Sequence, residues 1–458
     1  MRALVLSLLL LALPLSACAE PASDEIAATV SEESGYEGRW SGTLETGGSR
    51  LRLLLEIEAD SATLISLDQN NARLPIDITQ RDAAGFAGTI ASVGASIDLD
   101  RISDDALSGT FSQGGATLPL SLRRQAAADQ AGDRPALPPS IGQDEEVTVV
   151  SGDVSLSGAL RRPETGGASP AVLLLNGSGS QDRDGLVFGR PVTEVVASAL
   201  AGRGIASLRL DDRGVGNSSA IAPNDFDDLA GDAAAAVGFL RRQGGIAGQC
   251  VGVFGHSQGG MIAFITAQMV PVDFIISAAP PTAPLSDILY EQSEAIILAS
   301  GAPQAAADQN RSLQTAMFTV MRDSSVEDYP SALTQALMDL GLPAPSAEQQ
   351  GQIWGQAFAV NALDTPVAPY FAAYEGPVVA ILAEDDLQIL ADPARARLTG
   401  ARADRPTEII TLEGLNHLFQ ATETGLPQDY ANAPHAMAPE ALDAIGDAAE
   451  SLIAQACE

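Results

Sequence analysis

At 458 residues the chain is too long for one small domain and long enough for two or three, each with its own core. With 46% hydrophobic and 18% charged residues, its composition excludes a disordered chain and a protein of many membrane spans. Its 59 acidic residues against 25 Lys plus Arg leave a formal net charge of -34, which argues against a nucleic-acid partner or an anionic membrane surface as ligand.

The N-terminus, MRALVLSLLLLALPLSAC, places one positive charge before an apolar stretch and then small residues, the pattern of a secretory signal over 1–17. It is short for a stable transmembrane helix. Its end, Leu15-Ser16-Ala17-Cys18, resembles the lipobox of bacterial lipoproteins. That resemblance implies lipidation of Cys18, a polar tether over 18–35, and an exported protein held at a bacterial membrane in the cell envelope; several acyl chains make such anchoring stable. Two further cysteines remain, Cys250 and Cys457. An oxidising compartment permits a disulfide between them, and two buried thiols fit the sequence as well. No CxxC or Cys/His cluster accompanies them, so no metal site is expected.

From 36 to 123, short runs alternate apolar and polar residues between Gly, Asp, Asn and Ser turns: Leu51 to Ile57, Thr63 to Leu67, Leu74 to Ile78, Ala95 to Leu99 and Leu118 to Leu122. This predicts a small antiparallel β domain, a sandwich or meander barrel, with no catalytic constellation. Residues 124–145, rich in Ala, Pro and charge, read as a linker.

From 146 onward a hairpin is followed by alternating strand and helix patterns, PAVLLLNG, PVTEVVASALAGRG, IASLRLDD, LAGDAAAAVGFLRRQG and CVGVFGHSQGG among them. Continuous apolar strands separated by helices imply a mostly parallel sheet covered on both faces. Over 281–374 the alternation stops and amphipathic helices follow one another, then it resumes with PVVAILAEDD, TEIITLEG and a final helix. A helical insert thus interrupts an α/β domain, placed to act as a lid.

Within VFGHSQGG, Ser257 lies between Gly255 and Gly259 as Gly-x-Ser-x-Gly, after an apolar strand and before the helix GMIAFITAQMV. Small neighbours are needed where a sharp strand-to-helix turn forces a nucleophile into strained dihedrals. A nucleophilic serine needs a base, and the chain has only three histidines. His256 is adjacent to Ser257 and points elsewhere, with a role in packing or hydrogen bonding beneath the turn. His435 lies in a polar, Pro-flanked stretch with no preceding strand and is expected to be exposed. His417 directly follows a strand.

These features together make residues 146–458 similar to the α/β-hydrolase family, in particular secreted esterase-like members with an extra N-terminal β domain. The family orders its triad as serine, acid, histidine. The resemblance implies Ser257 as nucleophile, His417 as base, and as acid Asp386 in EDDLQ, with Asp385 and Glu384 as alternatives. It implies an oxyanion hole from the backbone N–H of Gln258 and from the loop NGSGSQDRDG, where Ser178 is the chosen donor and Gly179 the next. Asp212 and Arg213 in LRLDDRGVGNS are expected to form a structural ion pair or turn network. No metal or organic cofactor is implied.

The activity expected is hydrolysis of small-molecule carboxylic esters with short to medium acyl chains. A peptidase or amidase on the same scaffold would use the same triad. A non-enzymatic, surface-anchored binding protein would be favoured by a missing triad member, and none is missing. The sequence leaves the oligomeric state open.

Overall fold

The computed structural model describes residues 36–457 except 47–48, 59–60, 67–71, 83–84, 91–92, 114–115, 125–139, 165, 188, 221–222, 224, 324–327, 343 and 355–356. The expected signal segment, Cys18, the tether and most of the linker lie outside the described residues. Two compact units are formed, a β-barrel and an α/β unit.

The barrel is an eight-stranded meander: β1(Gly38–Thr46), β2(Ser49–Ile57), β3(Ala62–Ser66), β4(Ala72–Asp82), β5(Gly85–Ile90), β6(Ala95–Ser103), β7(Ala106–Gln113) and β8(Ala116–Arg124). Each strand pairs antiparallel with the next, and β1 closes on β8 from Trp40↔Arg124 to Gly42↔Leu122, which removes both sheet edges. Period-two patterning fixes which face turns inward. In β6, Ala95, Ile97 and Leu99 are buried while Asp98 and Asp100 are exposed. Trp40, Leu55, Phe86 and Leu120 fill the interior with side chains.

The α/β unit begins with the hairpin β9(Gln143–Ser151)–β10(Val154–Arg162) and continues through β11(Ser169–Leu175), the short ribbon β12(Leu186–Val187)–β13(Arg190–Pro191), α1(Val192–Gly202), β14(Ala206–Leu210), α2(Phe226–Arg241), β15(Ile246–His256), α3(Gln258–Met269) and β16(Ile275–Ala278). Six helices follow: α4(Leu285–Ala299), α5(Gln304–Asp323), α6(Tyr329–Asp339), α7(Ala344–Trp354), α8(Ala357–Ala362) and α9(Ala368–Ala373). The chain returns through β17(Val378–Ala383), α10(Ala391–Ala401), β18(Thr407–Leu412) and α11(Pro439–Ala456).

The sheet order is β18-β17-β16-β15-β11-β14-β10-β9, parallel from β18 to β14 and antiparallel at β10 and β9. Both faces are covered, so β17 is buried at every position. Alternate residues of β15 feed opposite cores: Val253 joins Leu173 and Phe264 on one face, and Phe254 joins Val196 and Ile381 on the other. β9 starts at Gln143, inside the stretch read as linker, because pairing continues to Gln143↔Arg162. Asp144 is held there by Arg161 and Arg209, a charge partnership that composition alone does not reveal. Among the described residues no helix is long and apolar enough to cross a membrane.

Cys250 in β15 and Cys457 just beyond α11 form a disulfide across 207 residues, with their Cα atoms 5.8 Å apart. A cross-link closing so long a loop restricts the unfolded chain strongly. Replacing both cysteines by serine is expected to cost about 2–5 kcal/mol, read as a lower urea midpoint. Reductant should lower the wild-type midpoint to match and leave the double variant unchanged.

Candidate active site

Ser257 stands where β15 turns into α3, and its φ of 53° with ψ of -123° places a non-glycine residue in left-handed backbone. The surrounding glycines follow from this turn. A Cβ added at Gly255 would lie 2.1 Å from the Gly259 carbonyl oxygen, and one at Gly259 would lie 2.4 Å from the Asn176 oxygen and 2.6 Å from the Leu175 oxygen at the end of β11. Neighbouring backbone therefore leaves no room for side chains, which holds the Ser257 hydroxyl at the carboxyl edge of the sheet.

The same edge supplies its partners. His417, in the loop after β18, directs Nε2 to the Ser257 Oγ at 3.0 Å, and its Nδ1–H donates to Asp386 Oδ2 at 2.7 Å. His417 is 5% exposed and Asp386, after β17, only 1%. The other Asp386 oxygen accepts the N–H groups of Gln388 at 2.7 Å and Ile389 at 2.8 Å, so the carboxylate is held from both ends. Glu384 and Asp385 are exposed, and His435 is exposed as well. The histidine loop is wound tightly: the Asn416 side-chain oxygen accepts from the N–H groups of Leu418 and Gln420, and Phe419 takes φ 55°.

His256 is fully enclosed beneath the turn, and its Nε2–H donates to the His417 carbonyl at 2.8 Å. Burial pushes its pKa down to about 3, with the nearby His417 adding to the fall, so it stays a neutral donor. Sequence reasoning reached a hydrogen bond beneath the turn but not its acceptor, the backbone of the base itself. It missed the pairing of Gln388 Nε2 with the buried Tyr430 hydroxyl at 2.9 Å, which no local motif signals.

Gln258 is the first residue of α3, where a backbone N–H has no intrahelical acceptor. Ser178 lines the same cavity as Ser257 and His417, whereas Gly179 lines a separate cavity behind the loop. The loop passes close to the nucleophile, since a Cβ at Gly177 would stand 3.5 Å from the Ser257 Cβ.

A family model described as "Alpha/beta hydrolase family" matches residues 172–432, from β11 past the His417 loop. The chain belongs to the alpha/beta hydrolase family. It is 28% identical over 157 residues to the esterase EstD of Thermotoga maritima, a match covering 34% of this chain and 36% of the relative; the chain thus spans about a third of that relative's length. In structure it is similar to Est1E from Butyrivibrio proteoclasticus, with a TM-score of 0.39 and 14% identity over 68% of this chain and 99% of the other. It is also similar to an esterase of Pyrococcus furiosus, with a TM-score of 0.42 and 14% identity over 69% of this chain and 92% of the other.

In this member of the family the loop between β11 and β12 is anchored by acids at the end of β14. The Gln181 N–H donates to Asp212 Oδ2 at 2.8 Å and the Asp212 N–H returns a bond to the Gln181 carbonyl at 3.0 Å. Gln181 Nε2 then donates to the Ser178 carbonyl at 3.2 Å. Arg183 pairs with Asp211 at 2.8 Å and with Glu146 at 2.7 Å. Asp212 and Arg213 are not paired with each other: Arg213 reaches across to Asp232 of α2 at 2.6 Å, because the turn sends the two adjacent side chains in different directions.

Burial pushes the Asp212 carboxyl up to about 7, opposed by the Gln181 N–H and aided by the like charges of Asp232, Asp211 and Asp182. Between its ordinary value near 3.8 and 7, the folded protein holds a proton that the unfolded chain has released. This group's contribution to stability therefore falls as pH rises through that window and is level above it. Asp212→Asn, which keeps a neutral acceptor for Gln181, is expected to remove a fall on the order of 2–4 kcal/mol. Urea unfolding at pH 5 and pH 8 checks this, since the variant's gain on wild type should be clearly larger at pH 8 than at pH 5.

The cavity over Ser257 spans about 740 Å³ of space between atoms, open solvent at its mouth included. Its walls are mostly apolar, with Met261 from the sheet side and Leu285, Ile288, Leu289, Trp354 and Phe358 from the helical insert. Phe226 and Phe358 meet edge to face at 5.4 Å.

Proposed function

We propose that this chain is a serine esterase cleaving carboxylic esters of short to medium acyl chains through an acyl-serine intermediate. The observation that carries this reading is the continuous relay from Ser257 Oγ through His417 to Asp386, at 3.0 and 2.7 Å. Ser257 Oγ attacks the ester carbonyl carbon while His417 Nε2 takes its proton. The oxyanion is held by the Gln258 N–H and by the loop at Ser178. The intermediate collapses as His417 gives the proton to the departing alcohol, and water, deprotonated by His417, then releases the acid and restores Ser257. The apolar cavity supports an acyl group over a charged substrate. Export and lipid anchoring at Cys18 belong to the same reading, supported by the Cys250–Cys457 disulfide, a bond that persists in oxidising compartments.

A p-nitrophenyl ester series with the full-length protein in detergent tests the activity. Turnover should be highest for short to medium chains and fall for long ones. A wild-type protein inactive on every ester, whose Ser257 is nevertheless labelled by a fluorophosphonate, would turn the assignment to an amidase or peptidase.

A further inference from the structure

Gln292, on the third turn of α4, is 5% exposed and lines the cavity over Ser257. Its carboxamide, with two donors and an acceptor, meets no protein hydrogen-bond partner among the described residues and keeps access to the cavity. Water can bond such a group while the cavity is open, but a ligand that covers it without pairing leaves it buried and unsatisfied, which weakens binding. The other carboxamides of the cavity are placed differently. Gln388 bonds the Tyr430 hydroxyl, and Gln258 sits beside the nucleophile. Gln292 continues the helical face of Leu285, Ile288 and Leu289 that forms the wall, about 10 Å along the axis from Leu285 at 1.5 Å per residue. It is a polar group on an otherwise apolar wall. No lining residue except His417 is titratable, so nothing there matches a charged ligand.

We propose that Gln292 is the specificity-determining residue of this pocket and that the natural acyl group carries an uncharged hydrogen-bonding function, a carboxamide, away from the ester. A carboxamide offers Gln292 a donor or an acceptor. A plain alkyl chain reaching the same place displaces water from Gln292 and leaves it unpaired, which is the situation in which a site rejects an analogue lacking the polar group. This rests on the esterase reading for the word acyl, but not for the binding preference.

Two measurements test it. The first compares kcat/KM for p-nitrophenyl hexanoate with that for p-nitrophenyl esters bearing an acetamido group at carbon 4, 6 or 8, in wild type and Gln292→Leu. At least one acetamido ester should be preferred about tenfold or more by wild type, and Gln292→Leu should abolish that preference while keeping or raising thermal stability. The second reads binding without chemistry, by calorimetry of the matching methyl esters with Ser257→Ala, alone and combined with Gln292→Leu. A preference for one acetamido ester that Gln292→Leu removes supports the assignment even if wild type hydrolyses no ester, in which case the esterase reading alone fails. Equal binding of plain and acetamido esters across the series, or a preference that Gln292→Leu leaves unchanged, overturns it.

Discussion

Ser257→Ala is expected to lower kcat for ester hydrolysis about 10⁶-fold, and His417→Ala by a similar factor, with the double variant no worse than either alone. The non-additivity follows from the geometry. Ser257 Oγ and His417 Nε2 share one hydrogen bond at 3.0 Å, and each is useless to the reaction without the other. What remains should exceed the uncatalysed rate, because the Gln258 N–H and the loop at Ser178 stay in place. Folding should survive, since alanine fits wherever serine does at this turn. Ser257→Gly should be more stable than Ser257→Ala by roughly 1 kcal/mol, because glycine accepts φ 53° without a Cβ penalty. Single-turnover kinetics and thermal melts of the four variants check both statements. Turnover within tenfold of wild type in Ser257→Ala would remove this serine from the mechanism.

The parts of the site legible in the sequence are those where backbone sterics restrict the residue type. Gly255 and Gly259 cannot carry side chains next to the Gly259 and Asn176 carbonyls, so the pattern around Ser257 stands out locally. The barrel strands are legible for a similar reason, because inward and outward faces alternate with a period of two. The acid is harder. Glu384, Asp385 and Asp386 are consecutive, and β17 before them is buried on both faces, so alternation cannot tell which carboxylate turns inward. Long-range pairings leave even less trace. The disulfide joins residues 207 apart. Arg161 and Arg209 are buried in their strands, and only the fold brings Asp144 to both. Gln292 has a helical spacing that fits the wall of the cavity, but its place there without a protein hydrogen-bond partner among the described residues exists only in three dimensions.

The anchoring of the loop at Ser178 and the anchoring of His417 share one device. In each, a group outside the reacting atoms holds main chain: the half-buried Asp212 takes the Gln181 N–H, and the buried His256 donates to the His417 carbonyl. Such positioning matters because small displacements of reacting groups cost rate steeply. It also explains why His256 tolerates burial, since it forms the hydrogen bond that burial requires.

Asp386→Asn should reduce kcat about 10⁴-fold while leaving the fold intact. Two backbone donors, the N–H groups of Gln388 and Ile389, converge on Asp386 Oδ1 and need an acceptor there. An asparagine must therefore keep its amide oxygen on that side and turn its NH₂ toward His417 Nδ1. The imidazole then accepts at Nδ1 and carries its proton on Nε2, where it can no longer take the proton of Ser257. The alternative flip would put NH₂ against two N–H donors in a dry site and is excluded by that clash of donors. Asp385→Asn and Glu384→Gln, whose side chains are exposed, should leave kcat within about twofold and stability within about 0.5 kcal/mol. A tautomer-sensitive ¹⁵N NMR signal from His417 reads the cause directly: Nδ1 should carry the proton in wild type and Nε2 in Asp386→Asn. If the signal does not change, or if Asp386→Asn keeps more than a tenth of wild-type turnover, Asp386 does not orient the base.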